Sequence, residues 1–517
     1  MLSFLQRHAS SVIGTLCGWD RIRFRGTLRM LANLCGIERF LGYSGVLFKD
    51  FGNFAEQTSQ NVRAQSLQLT ESLGRPLEHL QSPSVCKEDV ARGHLERSPV
   101  KEGLICTLTA LEPCGSYKVV SNKQVGKLQI QHAYRKCQHL YHYFIHPVFG
   151  FMHVRVQTWL PFNLHICING REWLARQMDQ AGIGYLRRDN CFAWVSDFAK
   201  AQTLLDQQVQ HDYQKTLGAL AQMVNPALRS IVGDWNVDYY WSADESEWAS
   251  DILFKSRREL DQIYPSLLRH GMESFASTDL LRFLGHKVRA DGKLPPRLEM
   301  DVTSDCKHRP EGVRIKHRAG GNSVKMYNKQ ATVLRVEATL NNMRQIKAPR
   351  TDEQGKVKWL PMRKGVADIA RRAEVSNAIT GRYLEQMASV QTPTPLKNIV
   401  DDLSRHTLWH GKRVRGLNLL GPDAVLLETI GRGDFLIHGL RNSDLQGLLF
   451  VDPSSDPKER RRRSGQITRK LRMLRAHGLI QKVSRTHRYL LTDKGRKLVA
   501  ALHAVREADI GKLTAAA

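Results

Sequence analysis

The stretch Leu474-Arg475-Ala476-His477-Gly478-Leu479-Ile480, followed by Tyr489-Leu490-Leu491-Thr492-Asp493-Lys494-Gly495, decides how the C-terminal fifth is read. Upstream of it, Ile467, Leu471 and Leu474 recur at helical spacing, with Arg469, Lys470, Arg472 and Arg475 around the remaining surface. The spacing predicts a long basic helix over 459–477, closed by Gly478 in the position glycine favours just past a helix end. Leu479–Val483 and Arg488–Leu491 then read as two short strands around the turn 484–487, and Thr492-Asp493 caps a last helix over 494–504. Working back, Pro422 opens a short helix over 423–430 and Asn442-Ser443 caps another over 444–450.

Helix, helix, basic helix, two-stranded hairpin, helix is the order of a winged-helix domain. The quoted residues resemble the corresponding run of winged-helix transcription factors. That resemblance implies a DNA- or RNA-binding domain over 420–505. Charge agrees with it: residues 451–517 carry 17 Lys and Arg against 6 Asp and Glu, a net of +11. A recognition helix needs cations toward phosphate and polar side chains toward base edges. Arg460, Arg461, Arg462 and Arg463, with Arg485 and Arg488 in the hairpin, are the expected phosphate contacts; Arg472 lies on the same helix. Gln466, Arg469 and Lys470 are the candidates for reading bases.

The whole chain has 517 residues, 77 Lys and Arg, and 50 Asp and Glu, giving +27. At about 100–200 residues per domain it should hold several domains. An excess of positive charge this large points to a polyanionic partner, nucleic acid before membrane. No run approaches about 18 consecutive apolar residues, so no membrane span is expected. The apolar start is broken by Arg7 and His8, and no secretory signal is expected; residues 1–19 read as an amphipathic helix with Leu5, Val12, Ile13 and Leu16 inward. The 9 cysteines are scattered and form no Cys-x-x-Cys, which argues against a disulfide framework or a zinc ribbon and fits a reducing cytoplasm. No phosphate-cradling Walker loop, dinucleotide-binding Gly-x-Gly-x-x-Gly, His-Glu-x-x-His or Gly-x-Ser-x-Gly is present.

The expected class is α+β and multidomain: a mixed helix and antiparallel-sheet body followed by the C-terminal domain. We divide the chain into an α+β domain over 1–195, a helical connector over 196–235, a middle α+β domain over 236–395 and the winged-helix domain over 420–505. In the first, Arg21-Ile22-Arg23-Phe24-Arg25-Gly26 alternates as a strand with a cationic face. Residues 56–96 read as helices and 236–300 as mainly helical, and Trp235, Trp241 and Trp248 among Asp244, Glu245, Glu247 and Asp251 read as a helix surface. Residues 343–363 read as an exposed loop. His142 and His146 would share one face of a helix, though Pro147 argues for its end there; Tyr134, Tyr141, Tyr143 and Phe144 among these histidines suit packing or base stacking better than metal.

The middle segment is the candidate for chemistry. Strands over 312–319, 322–329 and 333–340 place Lys316, Lys325, Tyr327, Arg335 and Glu337 on one face. A tyrosine beside lysines and a carboxylate suits phosphodiester chemistry. Tyr327 would attack phosphorus, Lys325 or Lys329 would lower its pKa, and Glu337 with Asp301 or Glu311 would hold Mg²⁺ or Mn²⁺. The run Lys325-Met326-Tyr327-Asn328-Lys329, then Leu334-Arg335-Val336-Glu337, resembles strands of rolling-circle replication initiators, but it lacks their metal-binding histidine pair: Leu164-His165-Ile166-Cys167 offers one histidine. Across its length the chain also resembles a family of basic bacterial proteins, through Trp19-Asp20-Arg21-Ile22-Arg23-Phe24-Arg25-Gly26-Thr27-Leu28 and Arg309-Pro310-Glu311-Gly312-Val313-Arg314-Ile315-Lys316-His317, and no activity comes with that likeness.

The function expected is therefore a cytoplasmic DNA-binding protein of a replication or mobile-element system. A metal-dependent DNA-nicking enzyme using Tyr327, or a transcriptional regulator without catalysis, are the alternatives.

Overall fold

The computed structural model describes residues 1–122, 126–235, 237–286, 302–309, 312–351, 354–389, 396–433, 435, 439–450, 456–483 and 486–507. Helix α1 (Leu2–Arg7) precedes the long strand β1 (Val12–Thr27). Helices α2 (Leu34–Tyr43) and α3 (Phe51–Ser72) follow, then β2 (Leu77–Leu80), α4 (Lys87–Arg97), and the antiparallel pair β3 (Gly103–Asn122) and β4 (Lys127–His146). β5 (Gly150–Gln157) and β6 (Leu164–Asn169) lead into α5 (Gly170–Gln180), β7 (Tyr185–Arg188), β8 (Cys191–Val195) and helices α6 (Phe198–Val209), α7 (Tyr213–Val224) and α8 (Ala227–Val232). After β9 (Tyr240–Phe254) come α9 (Arg257–Glu273) and α10 (Ser277–Phe283). The strands β10 (Thr303–Arg309), β11 (Gly312–Ala319), β12 (Asn322–Lys329), β13 (Val333–Leu340), β14 (Lys347–Thr351) and β15 (Val357–Pro361) precede α11 (Ile369–Met387). The C-terminal elements are α12 (Leu396–Ser404), β16 (Thr407–Trp409), β17 (Lys412–Val414), α13 (Ala424–Ile430), α14 (Asn442–Leu449), α15 (Pro457–Ala476), β18 (Ile480–Lys482), β19 (Tyr489–Leu491) and α16 (Asp493–Glu507). The mixture of helices and a large mixed sheet is that of an α+β protein. Among the described residues no helix is long and apolar enough to cross a membrane.

Two compact units are formed. One comprises Thr15–Asp251 with Thr339–Asn377, the other Met1–Gly14, Ile252–Ala338 and Ala378–Ala517. In the first, the strands run in the order β9-β1-β6-β5-β4-β3-β2, with β2 parallel to β3 and the pairs from β1/β6 to β3/β4 antiparallel. The alternation of β1 does what its spelling dictates: Ile22 and Phe24 are buried, and Arg21, Arg23 and Arg25 project from the other face. Two arginines are interior. Arg171 is fully buried, 2.9 Å from Asp251 and 3.7 Å from Asp20. Arg372 of α11 donates to Ser246 Oγ at 2.7 Å and to the carbonyls of Ala243 and Leu340, and burial lowers its pKa to about 10.

In the second unit the strands run β10-β11-β12-β13. Val324 and Met326 are buried with Ile315, as alternation requires. Helix α9 closes on β11 through the Tyr264 hydroxyl, which donates to the Val313 carbonyl. The C-terminal elements gather a separate core from Leu426, Leu427, Ile430, Leu445, Ile467, Leu471, Leu474, Leu491 and Leu498.

Five local expectations are corrected. Val12–Leu16 open β1, and only Leu2–Arg7 is helical. Residues 77–80 form a strand inside the segment read as helices. His142 and His146 stand on strand β4, where four residues' separation does not make a helical metal pair. The tryptophan-rich acidic segment is strand β9: Trp241, Ala243, Ser246 and Trp248 are buried, and a shift in the alternation at Asp244–Glu245 hid the period. Its acids also lowered its apparent strand character, yet Glu245 and Glu247 sit against Arg21 at 3.2 and 3.1 Å, and Glu245 lies 3.7 Å from Arg23. Within 343–363, an exposed pair of strands, β14 and β15, stands where a loop was expected.

Candidate nucleic-acid interface

Helix α15 starts as its sequence dictates. Pro457 occupies the first turn, and Asp456 Oδ1 accepts from the Lys458 amide at 2.9 Å. Ile467, Leu471 and Leu474 are buried. The opposite surface exposes Arg461, Arg462, Arg469 and Arg472; Arg460 is exposed in the first turn, and Arg463, Gln466 and Lys470 are half-buried. Glu459 engages Arg462 at 2.8 Å and Arg463 at 2.9 Å, and these two hydrogen bonds hold its carboxyl below the usual range. Arg463 also lies over the Phe450 ring at 4.9 Å. Arg460, Arg461, Arg469 and Arg472 pair with no carboxylate among the described residues.

The helix is held from both sides. Asn442 on α14 donates to the Ser464 carbonyl at 2.9 Å and to Thr468 Oγ1 at 3.0 Å. Gly478 takes a φ of +70° just beyond the helix, and Leu479 leads into β18. β18 and β19 pair antiparallel, Ile480 with Leu491 and Lys482 with Tyr489, and Leu440, from the segment before α14, makes an isolated antiparallel bridge to Tyr489. The approach is close: at Gly439, with φ +68°, a Cβ would stand 2.4 Å from the Tyr489 carbonyl oxygen. Arg488 is half-buried in this hairpin. Arg485 lies outside the described residues.

The residues expected to do chemistry meet elsewhere, on the β11–β12–β13 sheet. Lys316 stands directly across from Lys325, and Arg314 from Tyr327. Lys325 Nζ binds Glu337 Oε1, and the Tyr327 hydroxyl donates to Glu337 Oε2 at 3.0 Å. Burial would raise the Glu337 carboxyl, but the Lys325 charge and these hydrogen bonds hold it below its ordinary value. Lys316 is pushed down by burial and then by Lys325, Arg318 and Arg314. Lys329 is buried at the end of β12. Both Glu337 oxygens thus already hold partners. Asp301 and Glu311 lie outside the described residues, and among those described no cluster of three His, Cys, Asp or Glu could hold a metal ion.

A third group of side chains forms one further site. The register aligns Arg25 with His165, His165 with Arg155, Arg155 with Tyr141, and His139 with Gln157. Four strands from two distant parts of the chain, β1 and the consecutive β4, β5 and β6, therefore share one cationic, aromatic face. Only the alternation within each strand signalled it. Cys114 and Cys137 lie beside it with sulfurs 3.2 Å apart. His142 points away, fully buried between Ser66 and Thr107 at 2.9 Å each, and burial lowers its pKa to about 3.

No family model, no curated protein and no solved structure matches this chain.

Proposed function

We propose that the chain is a DNA-binding protein and that its C-terminal elements act as a winged helix, with α15 as the recognition helix. The observation that carries this reading is the row of exposed arginines on α15 without carboxylate partners among the described residues, on a helix braced by α14 and by the β18–β19 hairpin. The Leu440–Tyr489 bridge supports it, because a winged helix places a strand between its first two helices beside the wing. Arg460 and Arg461, at the helix start, would meet phosphates together with the positive end of the helix dipole. Gln466, Arg469 and Lys470, one to two turns on, would reach base edges in the major groove, and Arg472 and Arg488 would flank them. A replication, mobile-element or regulatory setting is compatible with this chemistry.

The test is fluorescence anisotropy with labelled duplex, single-stranded DNA and RNA across a salt series. Each lost phosphate contact flattens the slope of log affinity against log salt by about 0.9 on duplex DNA. The variant Arg460→Ala/Arg461→Ala/Arg469→Ala/Arg472→Ala should bind duplex far more weakly with a flatter slope. Equal affinity and slope in variant and parent would sink the assignment.

A second reading is favoured by one contact, the Tyr327 hydroxyl on the Glu337 carboxylate. Here Tyr327 would act as nucleophile in DNA nicking: its oxygen bonds phosphorus, its proton passes to Glu337, and the ester oxygen leaves. Such an enzyme would need Mg²⁺ or Mn²⁺. Incubation with labelled single strands and either metal should give a covalent protein–DNA adduct lost in Tyr327→Phe; no adduct would leave a binder without this activity.

A further inference from the structure

The cationic face in the first unit encloses a cavity of about 420 Å³. Arg25, His139, Arg155 and His165 line it together with Ser116 and Asn163, and no carboxylate belongs to the lining. Arg155 has one carboxylate partner outside the lining: Glu112 accepts from Arg155 at 2.8 Å and from Tyr141 at 2.7 Å, and lies 3.1 Å from Lys87. Of the three β1 arginines, Arg21 and Arg23 have Glu245, while Arg25 pairs with no carboxylate among the described residues. Arg25 is therefore the lining arginine without a carboxylate partner among the described residues, and Lys87 shares Glu112 with Arg155, so the site keeps an excess of positive charge.

It also holds unmet hydrogen-bonding capacity. Ser116 Oγ, Asn163 Oδ1, Arg25 Nε and Arg155 Nε are buried with no partner among the described residues. Ser116 and Asn163 are only 4% and 5% exposed. Leaving such groups unpartnered is unfavourable, and all four residues line this one space, which marks a place for a polar occupant. Water could serve the hydroxyl and the amide, but an unopposed guanidinium favours an anion. The histidines add donors and acceptors rather than charge: burial, then Arg155, lower His139 to about 4 and His165 to about 3. The occupant must then combine an anionic group with hydroxyl or amine donors.

Its size and its rim narrow the class. A volume in this range takes one small ligand. Tyr134, which also lines the cavity, is 90% exposed, and His132 stands 5.2 Å from Tyr117. Exposed rings beside a phosphate-binding pair of arginines suit a planar base. We propose that this cavity binds a single nucleotide unit, with its phosphate on Arg25 and Arg155 and its base against Tyr134 and His132. Such a unit could be a free nucleoside monophosphate or the phosphorylated end of a strand. The site lies in a different unit from α15 and does not depend on the reading of that helix.

Isothermal titration of the full chain with inorganic phosphate, the four nucleoside 5′-monophosphates, and a short single strand with or without a 5′-phosphate tests this. Nucleotides should bind more tightly than phosphate alone. Arg25→Gln should weaken them by about 10–100-fold, the worth of a charged hydrogen bond. Ser116→Ala should weaken them while leaving the melting temperature unchanged or higher, because its hydroxyl has no partner to lose. Tyr134→Ala should bring nucleotide affinity down toward that of phosphate. Tighter binding of the 5′-phosphorylated strand than of its 5′-hydroxyl twin identifies a strand end; binding of the monophosphates alone identifies a free nucleotide. The proposal is overturned if nucleotides do not bind, bind no better than phosphate, or bind Arg25→Gln and the parent alike. The α15 arginine variant should titrate with nucleotides as the parent does, so failure here and failure of the duplex-binding assay are separate results.

Discussion

Strand β1 and helix α15 carry similar runs of arginine and put them to opposite uses. On β1, Arg21 and Arg23 find Glu245 and Glu247, acids that lie over two hundred residues away and arrive on the neighbouring strand β9. On α15 the acid within helical reach, Glu459, satisfies Arg462 and Arg463 and leaves Arg460, Arg461, Arg469 and Arg472 facing solvent. A basic run is therefore not a binding surface by itself. What decides is whether the fold delivers a carboxylate to it. The same rule separates the two sheet patches: Lys325 has Glu337, whereas Arg25 faces an acid-free cavity.

The contrast can be broken at its most buried point first. Arg171→Met should leave Asp251 and Asp20 as buried carboxylates without their cation, costing about 3–5 kcal/mol in urea unfolding. A cost below about 1 kcal/mol would mean that these charges are not what holds β1, β9 and α5 together. Next in size is the quadruple α15 variant: a loss of duplex affinity of about 100-fold or more at physiological salt, with melting unchanged because these side chains are exposed. If it unfolds instead, the arginines are structural and the distinction from β1 fails.

A third test uses pH. His142 is neutral in the folded protein down to about 3, while in the unfolded chain it takes up a proton near its ordinary value of 6.5. Between those values the unfolded chain binds more protons, so stability falls as pH drops below about 6.5, by up to about 1.4 kcal/mol per pH unit for this group. His139, also buried and lowered to about 4, acts in the same direction. The urea midpoint measured from neutral pH downward should decline, with a gentler slope in His142→Gln. The smallest effect expected is for Glu245→Gln/Glu247→Gln. Arg21 is 43% exposed, so solvent screens the pair and the stability cost should be about 1 kcal/mol or less. The informative readout is binding: releasing Arg21 and Arg23 should increase salt-sensitive retention on a polyanionic resin, and no change would show that Glu245 and Glu247 do not mask them.

Much of the local structure was legible because its signals are local. The alternation of Ile22 and Phe24, the apolar repeat of Ile467, Leu471 and Leu474, and Gly478 after the basic helix each describe neighbours within a turn or two; the basic helix stands within two residues of its expected bounds, while the strand holding Ile22 and Phe24 begins earlier, at Val12. Segment 240–254 misled because its acids count against a strand when read alone and for it only beside β1. His142 and His146 misled because spacing of four residues carries meaning only once a helix is given. Tyr327, Lys325 and Glu337 were correctly expected on one sheet face, but spacing could not tell that Glu337 would already bind the other two.

By itself the sequence determined the large positive charge, the mixed helix-and-strand class and the amphipathic order of the C-terminal elements, since composition and short-range periodicity suffice for these. Tertiary structure alone decided which arginines keep their charge available, and that Arg25, Arg155, His139 and Ser116 border one cavity. The reason is physical: strand pairing joins residues separated by tens to hundreds of positions, and no repeat along the chain encodes which strand becomes whose neighbour.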